Sequence, residues 1–110
     1  MKLTGTQIEQ FERDGFLILP SLFTRDEVAI LTVELPKLFS ERCPENFREK
    51  DNDAVRTAMG LHQRNDVYAR LVRHPRLVEP AQQLRGEELY VQQVKVNAKA
   101  AFSGDVWQWH

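Results

Sequence analysis

Disulfide chemistry is missing from this chain. Cys43 is the single cysteine among 110 residues, so no internal bridge can form and a disulfide-stapled secreted scaffold is excluded. A reducing, cytoplasmic compartment is the expectation that follows. Long apolar runs are missing too. Nothing approaches the roughly 20 residues that span a bilayer, and the opening MKLTGTQIEQFERDG lacks the apolar segment of a signal peptide. Nor is there a surplus of either charge: 15 basic residues face 16 acidic ones, for a formal net charge of −1. That balance leaves no field to hold a phosphate backbone or an anionic membrane, so neither nucleic acid nor membrane is an expected partner. Glycine-rich phosphate loops, HExxH and CxxC patterns are absent. Ser21, Ser40 and Ser103 lack the strand–turn–helix elbow of a nucleophilic serine.

What is present reads as one domain with a modest core, 42% hydrophobic and 28% charged. Thr6 with Glu9 three residues on forms a capping box, and Ile8 and Phe11 supply an apolar face, predicting a short helix to about Asp14 that Gly15 ends. Phe16–Pro20, FLILP, reads as a brief strand. Thr24 and Glu27 repeat the capping box, and Val28, Leu31, Leu35 and Leu38 mark a helical face. Pro36 is expected to kink or restart that helix. The polar stretch from Glu41 to Asp53 reads as a solvated connector. AVRTAMGLH follows as a strand ending near Gly60. A helix capped by Asn65 or Asp66 should run to about Arg73, and another from Pro75 to Gly86.

After Gly86 the period changes from helical to alternating. Leu89, Val91, Val94 and Val96 stand between polar residues, with a slip at Gln92–Gln93, predicting a half-buried strand with a bulge. A second alternation, DVWQWH, puts Val106, Gln108 and His110 on one face and Trp107 and Trp109 on the other. Helices come first and strands late. A ribbon that has barely begun leaves edges needing partners, so the chain reads as cut rather than finished.

Three histidines carry the possible chemistry. His62, His74 and His110 are spaced by 12 and 36 residues, which fits no compact zinc pattern. His74, before Pro75, reads as a cap or surface residue, and His62 as structural. His110 differs because large aromatics flank it on a strand and hold it stiffly. A two-histidine, one-carboxylate iron site needs such a ligand, because one face of the metal must stay open. Taken alone, WQWH reads first as an aromatic core strand with a satisfied histidine.

Two longer phrases, DGFLILPSLFTRDEV near the start and YVQQVKVNAKAAFSGDVWQWH at the end, together resemble the phytanoyl-CoA dioxygenase family. The resemblance covers the whole chain and is weakest between residues 41 and 88. It implies an α+β fold: N-terminal helices followed by the first strands of a double-stranded β-helix (jelly roll), truncated at residue 110. It implies Fe(II) and 2-oxoglutarate as cofactor and co-substrate, and hydroxylation of a small organic substrate. On this match His110 is the first iron ligand, and an Asp is expected two residues further along a longer reading frame, with a second His and an Arg far downstream. Asn97 matches an asparagine that contacts 2-oxoglutarate, and Trp107 a position lining the same pocket. Arg56 matches a basic residue reaching the co-substrate, and Gln93 a substrate-contacting position. For Arg56 and Gln93 the plain alternative, a polar residue on a strand face, stays open. Lys95 reads as a solvated strand residue.

The resemblance therefore implies that residues 1–110 form the N-terminal part of a single dioxygenase domain, inactive alone because one iron ligand of three is present. Two other classes stay open. One is a small non-catalytic α+β binding or interaction domain. The other is an unrelated helical domain whose Trp-rich end pairs with a partner strand.

Overall fold

The computed structural model describes residues 2–99, and Trp107 and His110 lie outside them. The first helix, α1 (Gly5–Asp14), begins earlier than the Thr6–Glu9 spacing suggests. Its cap is Thr4, whose side chain accepts from Gln7 N–H at 3.2 Å while the Gln7 amide returns a bond to Thr4 N–H at 2.9 Å. Both T-x-x-E/Q patterns are competent. The earlier one also places buried Leu3 just before the cap and Ile8 at the fourth helical position, the spacing of a hydrophobic staple. Leu3 is then clamped to a distant helix by paired backbone–amide bonds with Gln83, 2.7 and 3.2 Å. Gly15 ends α1 in the left-handed region (φ 81°) and donates its N–H to Phe11 O.

Phe16–Pro20 is not a strand. No ladder partner reaches it among the described residues, and Phe16 and Ile18 stand exposed. The next helix, α2 (Arg25–Ser40), is capped by Thr24 and Glu27 as their spacing requires. It runs through Pro36 without restarting. Leu38 is fully buried, and Leu31 and Leu35 pack beside it, whereas Val28 faces outward.

The supposed connector from Glu41 to Asp53 contains the first strand, β1 (Asn46–Arg48), which pairs antiparallel with β2 (Val55–Met59). Its inward residue is polar, which hides it from a search for apolar alternation. Asn46 is buried, donating its amide to Leu38 O and Glu41 O and accepting from Arg64. The hairpin is closed by Glu49 N–H to Ala54 O at 2.7 Å and by Arg42, whose guanidinium pairs with the Asp53 carboxylate. The Arg42 guanidinium holds the Asp53 carboxyl below its ordinary pKa.

Gly60, at φ 65°, turns the chain from β2 into a one-turn helix, α3 (Leu61–Arg64). Asn65 caps α4 (Asp66–Val72), and His74 caps α5 (Pro75–Arg85), accepting from Arg76 N–H on its Nδ1 at 3.1 Å. His74 is thus a cap, with its ring edge-on to Phe23. Arg76 reaches back across the helices to pair with Glu27. That guanidinium, and then the Thr24 backbone N–H, lower the Glu27 pKa to about 2.

Only the end of the expected late strand is paired. The third strand, β3 (Lys95–Asn97), joins the free side of β2 to give the order β1–β2–β3, while Leu89–Gln93 runs unpaired. Beyond Met59, β2 turns at Gly60, so no described strand lies beside the residues before Val94. The core is Leu38, Val55, Ala58, Leu61 and Tyr68, flanked by Val94 and Val96. The described chain is α+β, with α2 packed on the three-stranded antiparallel sheet. No helix among the described residues is long and apolar enough to cross a membrane.

Candidate functional site

Strand register sorts the sheet residues into rows. Asn46, Ala58 and Val96 are partners across the three strands and face the helical core. The rows on either side of it must face the other way. One is Phe47, Thr57 and Asn97. The other is Glu45, Met59 and Lys95, joined on one side by Met59 N–H to Glu45 O at 2.9 Å. This second face, away from the helices, carries the polar groups.

A bulge interrupts β2. One step on β1, from Phe47 to Arg48, corresponds to two on β2, from Thr57 to Val55, so Arg56 is the extra residue. The bulge returns Val55 to the core side and places half-buried Arg56 beside Thr57. Its carbonyl accepts from Ala98 N–H at 2.9 Å. That bond and the one from Gly60 N–H to Val94 O, 2.8 Å, mark the hydrogen-bonded positions of the ladder. Thr57–Asn97 and Met59–Lys95 therefore fall on the alternate, closer pairs, where facing side chains meet.

Thr57 and Asn97 do meet. The Thr57 hydroxyl donates to Asn97 Oδ1 at 3.0 Å. Thr57 is buried and Asn97 exposed, so the hydroxyl holds the amide by its Oδ1 and leaves the Nδ2 donor uncommitted to this bond. Sequence reasoning passed over Thr57. Its signal was a hydroxyl next to Arg56 in the middle of an otherwise apolar strand.

Gln93 lines a cavity of about 400 Å³ with Glu45, Met59, His62, Gln63 and Gln92. Its size is in the range of small-molecule sites. His62 is half-buried, and its buried Nδ1 has no hydrogen-bond partner among the described residues. Behind the cavity, Arg64 bonds Met59 O, Asn46 Oδ1 and the Cys43 thiol, at 3.3, 2.7 and 3.5 Å. Arg64, Asn46 and Thr57 are the residues sequence reasoning missed, since none sits in a recognisable motif. Of the site residues expected from sequence, the structure brings Arg56 and Asn97 to adjacent ladder positions and sets Gln93 further along the β3 segment. Among the described residues no three His, Cys, Asp or Glu side chains converge as a metal group.

A helix-backed antiparallel sheet with a cavity at one end defines an α+β domain. The sequence profile described as Phytanoyl-CoA dioxygenase (PhyH) matches residues 11–110, and the chain belongs to that family. It is 38% identical to the ectoine dioxygenase of Bordetella bronchiseptica over 112 aligned residues, covering 98% of this chain and 36% of the relative. It is 42% identical to the L-proline trans-4-hydroxylase of Streptomyces griseoviridis over 101 residues, covering 92% and 38%. The crystal structure of EctD from S. alaskensis with bound Fe superposes with a TM-score of 0.89 at 30% identity, covering 98% of this chain and 40% of that one. EctD with 2-oxoglutarate and 5-hydroxyectoine gives a TM-score of 0.79 at 29% identity, covering 86% and 35%. The chain thus spans little more than a third of the proteins it matches.

Proposed function

We propose that residues 1–110 are the N-terminal portion of a single Fe(II)/2-oxoglutarate-dependent dioxygenase domain that hydroxylates a small organic substrate in the cytoplasm. On this proposal the described sheet is the start of a jelly roll, and its polar face looks into the barrel. The observation that carries it is the Thr57–Asn97 pair, a buried hydroxyl orienting an exposed amide on the face away from the helices. Likeness to relatives that bear Fe and 2-oxoglutarate in crystals supports it.

The donor set suits the anion better than the metal. Asn97 offers an oriented amide N–H, Arg56 a guanidinium at the adjacent ladder position, and Lys95 an ammonium on the same face. These are the groups that hold a dicarboxylate. The described residues gather no iron ligands, so iron would depend on His110 and on ligands further along a longer chain. Iron and 2-oxoglutarate, when bound, would supply the oxidation with dioxygen as oxidant, one oxygen atom ending in the succinate left after 2-oxoglutarate loses carbon dioxide and the other in the hydroxylated substrate. This chain's share is placement and water exclusion. Thr57 holds Asn97, Asn97 and Arg56 orient the co-substrate, Trp107 walls its pocket, and Gln93 donates to or accepts from the substrate at the cavity.

The test extends the genomic reading frame past codon 110 and assays the purified product with Fe(II), ascorbate and 2-oxoglutarate. Succinate above a metal-only control, abolished by His110→Ala, is the expected result. The 110-residue chain alone is expected to form none, because three protein ligands must hold the metal in fixed geometry. A reading frame that continues with Ala or Leu two residues after His110, in place of Asp, would favour a non-catalytic binding domain.

A further inference from the structure

One side chain ties together three separate stretches that wall the Gln93 cavity. Glu45 precedes β1, Met59 and Gly60 stand at the end of β2, and His62 and Gln63 belong to α3. Arg64, the last residue of α3, lies behind them with its side chain only 16% exposed. Its Nε donates to Met59 O at 3.3 Å and its Nη2 to Asn46 Oδ1 at 2.7 Å. Its Nη1 meets the Glu41 carboxylate at 3.4 Å and the Cys43 thiol at 3.5 Å. Asn46 adjoins Glu45 and is itself anchored to α2 through Leu38 O at 2.8 Å. The α3 turn could not hold its place alone. It has four residues, and Gly60 at its start supplies no side-chain cap. A single turn fixes more dihedral angles than its few bonds repay, so it depends on ties to its surroundings. The opposite wall is built differently. Val91, Gln92 and Gln93 are exposed and make no hydrogen bond among the described residues, and Gly60 N–H to Val94 O, 2.8 Å, joins the two walls.

We infer that Arg64 is a positioning residue, whose guanidinium locks Glu45, Met59 and the His62–Gln63 turn into one preformed wall against which substrate is held. Donors in a fixed planar fork serve several chain segments at once, which the compact ammonium of a lysine cannot do. Arg64 reaches the wall from behind and does not line the cavity, so its effect falls on how well the cavity is shaped for substrate and not on the chemical step. The inference rests on the dioxygenase reading and adds to it the residue that shapes the substrate end of the site.

Amide hydrogen exchange on the 15N-labelled 110-residue chain reads the wall directly. The Asn46, Met59 and Gln63 N–H groups bond Cys43 O, Glu45 O and Gly60 O, while Ala98 N–H bonds Arg56 O at the other end of the ladder. In Arg64→Gln the first three should exchange about tenfold faster relative to Ala98, and Arg64→Lys should show most of the same effect. Equal acceleration at all four amides, which is what a general loss of stability produces, overturns the inference, and so does no acceleration. In the extended protein with Fe(II), L-proline and ectoine serve as probe substrates, each scored by the succinate it adds over 2-oxoglutarate alone. Arg64→Gln should raise the KM of whichever the wild type accepts about tenfold, with kcat and the KM for 2-oxoglutarate within about twofold. Both KM values rising together, or a loss confined to kcat, sinks the inference. Succinate that depends on His110 while Arg64→Gln keeps the wild-type KM does so too, and spares the dioxygenase reading. Where the wild type accepts neither probe, the exchange ratio decides the inference by itself. A local acceleration in Arg64→Gln with no succinate from the extended protein upholds the wall and removes the dioxygenase reading.

Discussion

Asn46 offers the sharpest test of the fold, because polarity places it in a solvated connector while the structure buries it. Its Nδ2 donates to Leu38 O at 2.8 Å and to Glu41 O at 2.9 Å, and its Oδ1 accepts from Arg64 Nη2 at 2.7 Å. Asn46→Ala removes all three. The two neutral bonds contribute about 1 kcal/mol each, since a typical net hydrogen bond gives 0.5–1.5 kcal/mol. The bond to the guanidinium would give more in isolation, but Arg64 keeps its bond to Met59 O, so about 1 kcal/mol is assigned to it. The total is about 3 kcal/mol, a large fraction of the stability of a domain this size. Urea denaturation followed by circular dichroism should show the midpoint falling by about 2 M with little change in slope. Asn46→Asp keeps an acceptor for Arg64 but faces two carbonyl oxygens with a third oxygen, so it should still lose about 2 kcal/mol. A connector residue would change stability by no more than about 0.5 kcal/mol. A loss below about 1 kcal/mol for Asn46→Ala therefore refutes the buried-network account.

Leu38→Ala, at the centre of the core, should cost about 3–5 kcal/mol by the same urea assay. The Glu27–Arg76 pair makes stability acid-sensitive. Glu27 is lowered from the ordinary 4.5 to about 2, so its contribution is complete above pH 4.5 and is lost as pH falls toward 2. Glu27→Gln should flatten that part of the urea-midpoint profile, and a profile identical to wild type would contradict the pairing. Thr57→Val keeps the shape but removes the hydroxyl that orients Asn97. In the extended protein it should raise the KM for 2-oxoglutarate about fivefold, with a near-native urea midpoint. Gly86→Ala, at φ 73° in the C-cap of α5, should cost about 1 kcal/mol in the thermal or urea transition.

Local chemistry is what the sequence settled alone. Thr24 and Glu27 cap α2, Asn65, one of two adjacent candidates, caps α4, His74 and Pro75 open α5, and Gly15 and Gly86 close their helices. Each of these depends on groups within about four residues, so spacing suffices. The resemblance to the dioxygenase family was legible for a similar reason, since it lies in contiguous phrases. Pairing across the sheet was not legible. FLILP has the composition of a strand but lacks a ladder partner among the described residues, whereas Asn46–Arg48 has the composition of a loop and is a strand. A strand exists only where a neighbour accepts its backbone bonds, and no local pattern records that neighbour. The candidate site depends on the same long-range information. Asn97 could be named from its motif, but the hydroxyl that orients it comes from Thr57, 40 residues earlier. Glu45, Met59 and Lys95 likewise became a row only when register brought three strands together. Which residues can bond locally was written in the sequence, and which face each other was decided by tertiary pairing, because side-chain chemistry acts over a few ångströms while the chain separates its partners by tens of residues.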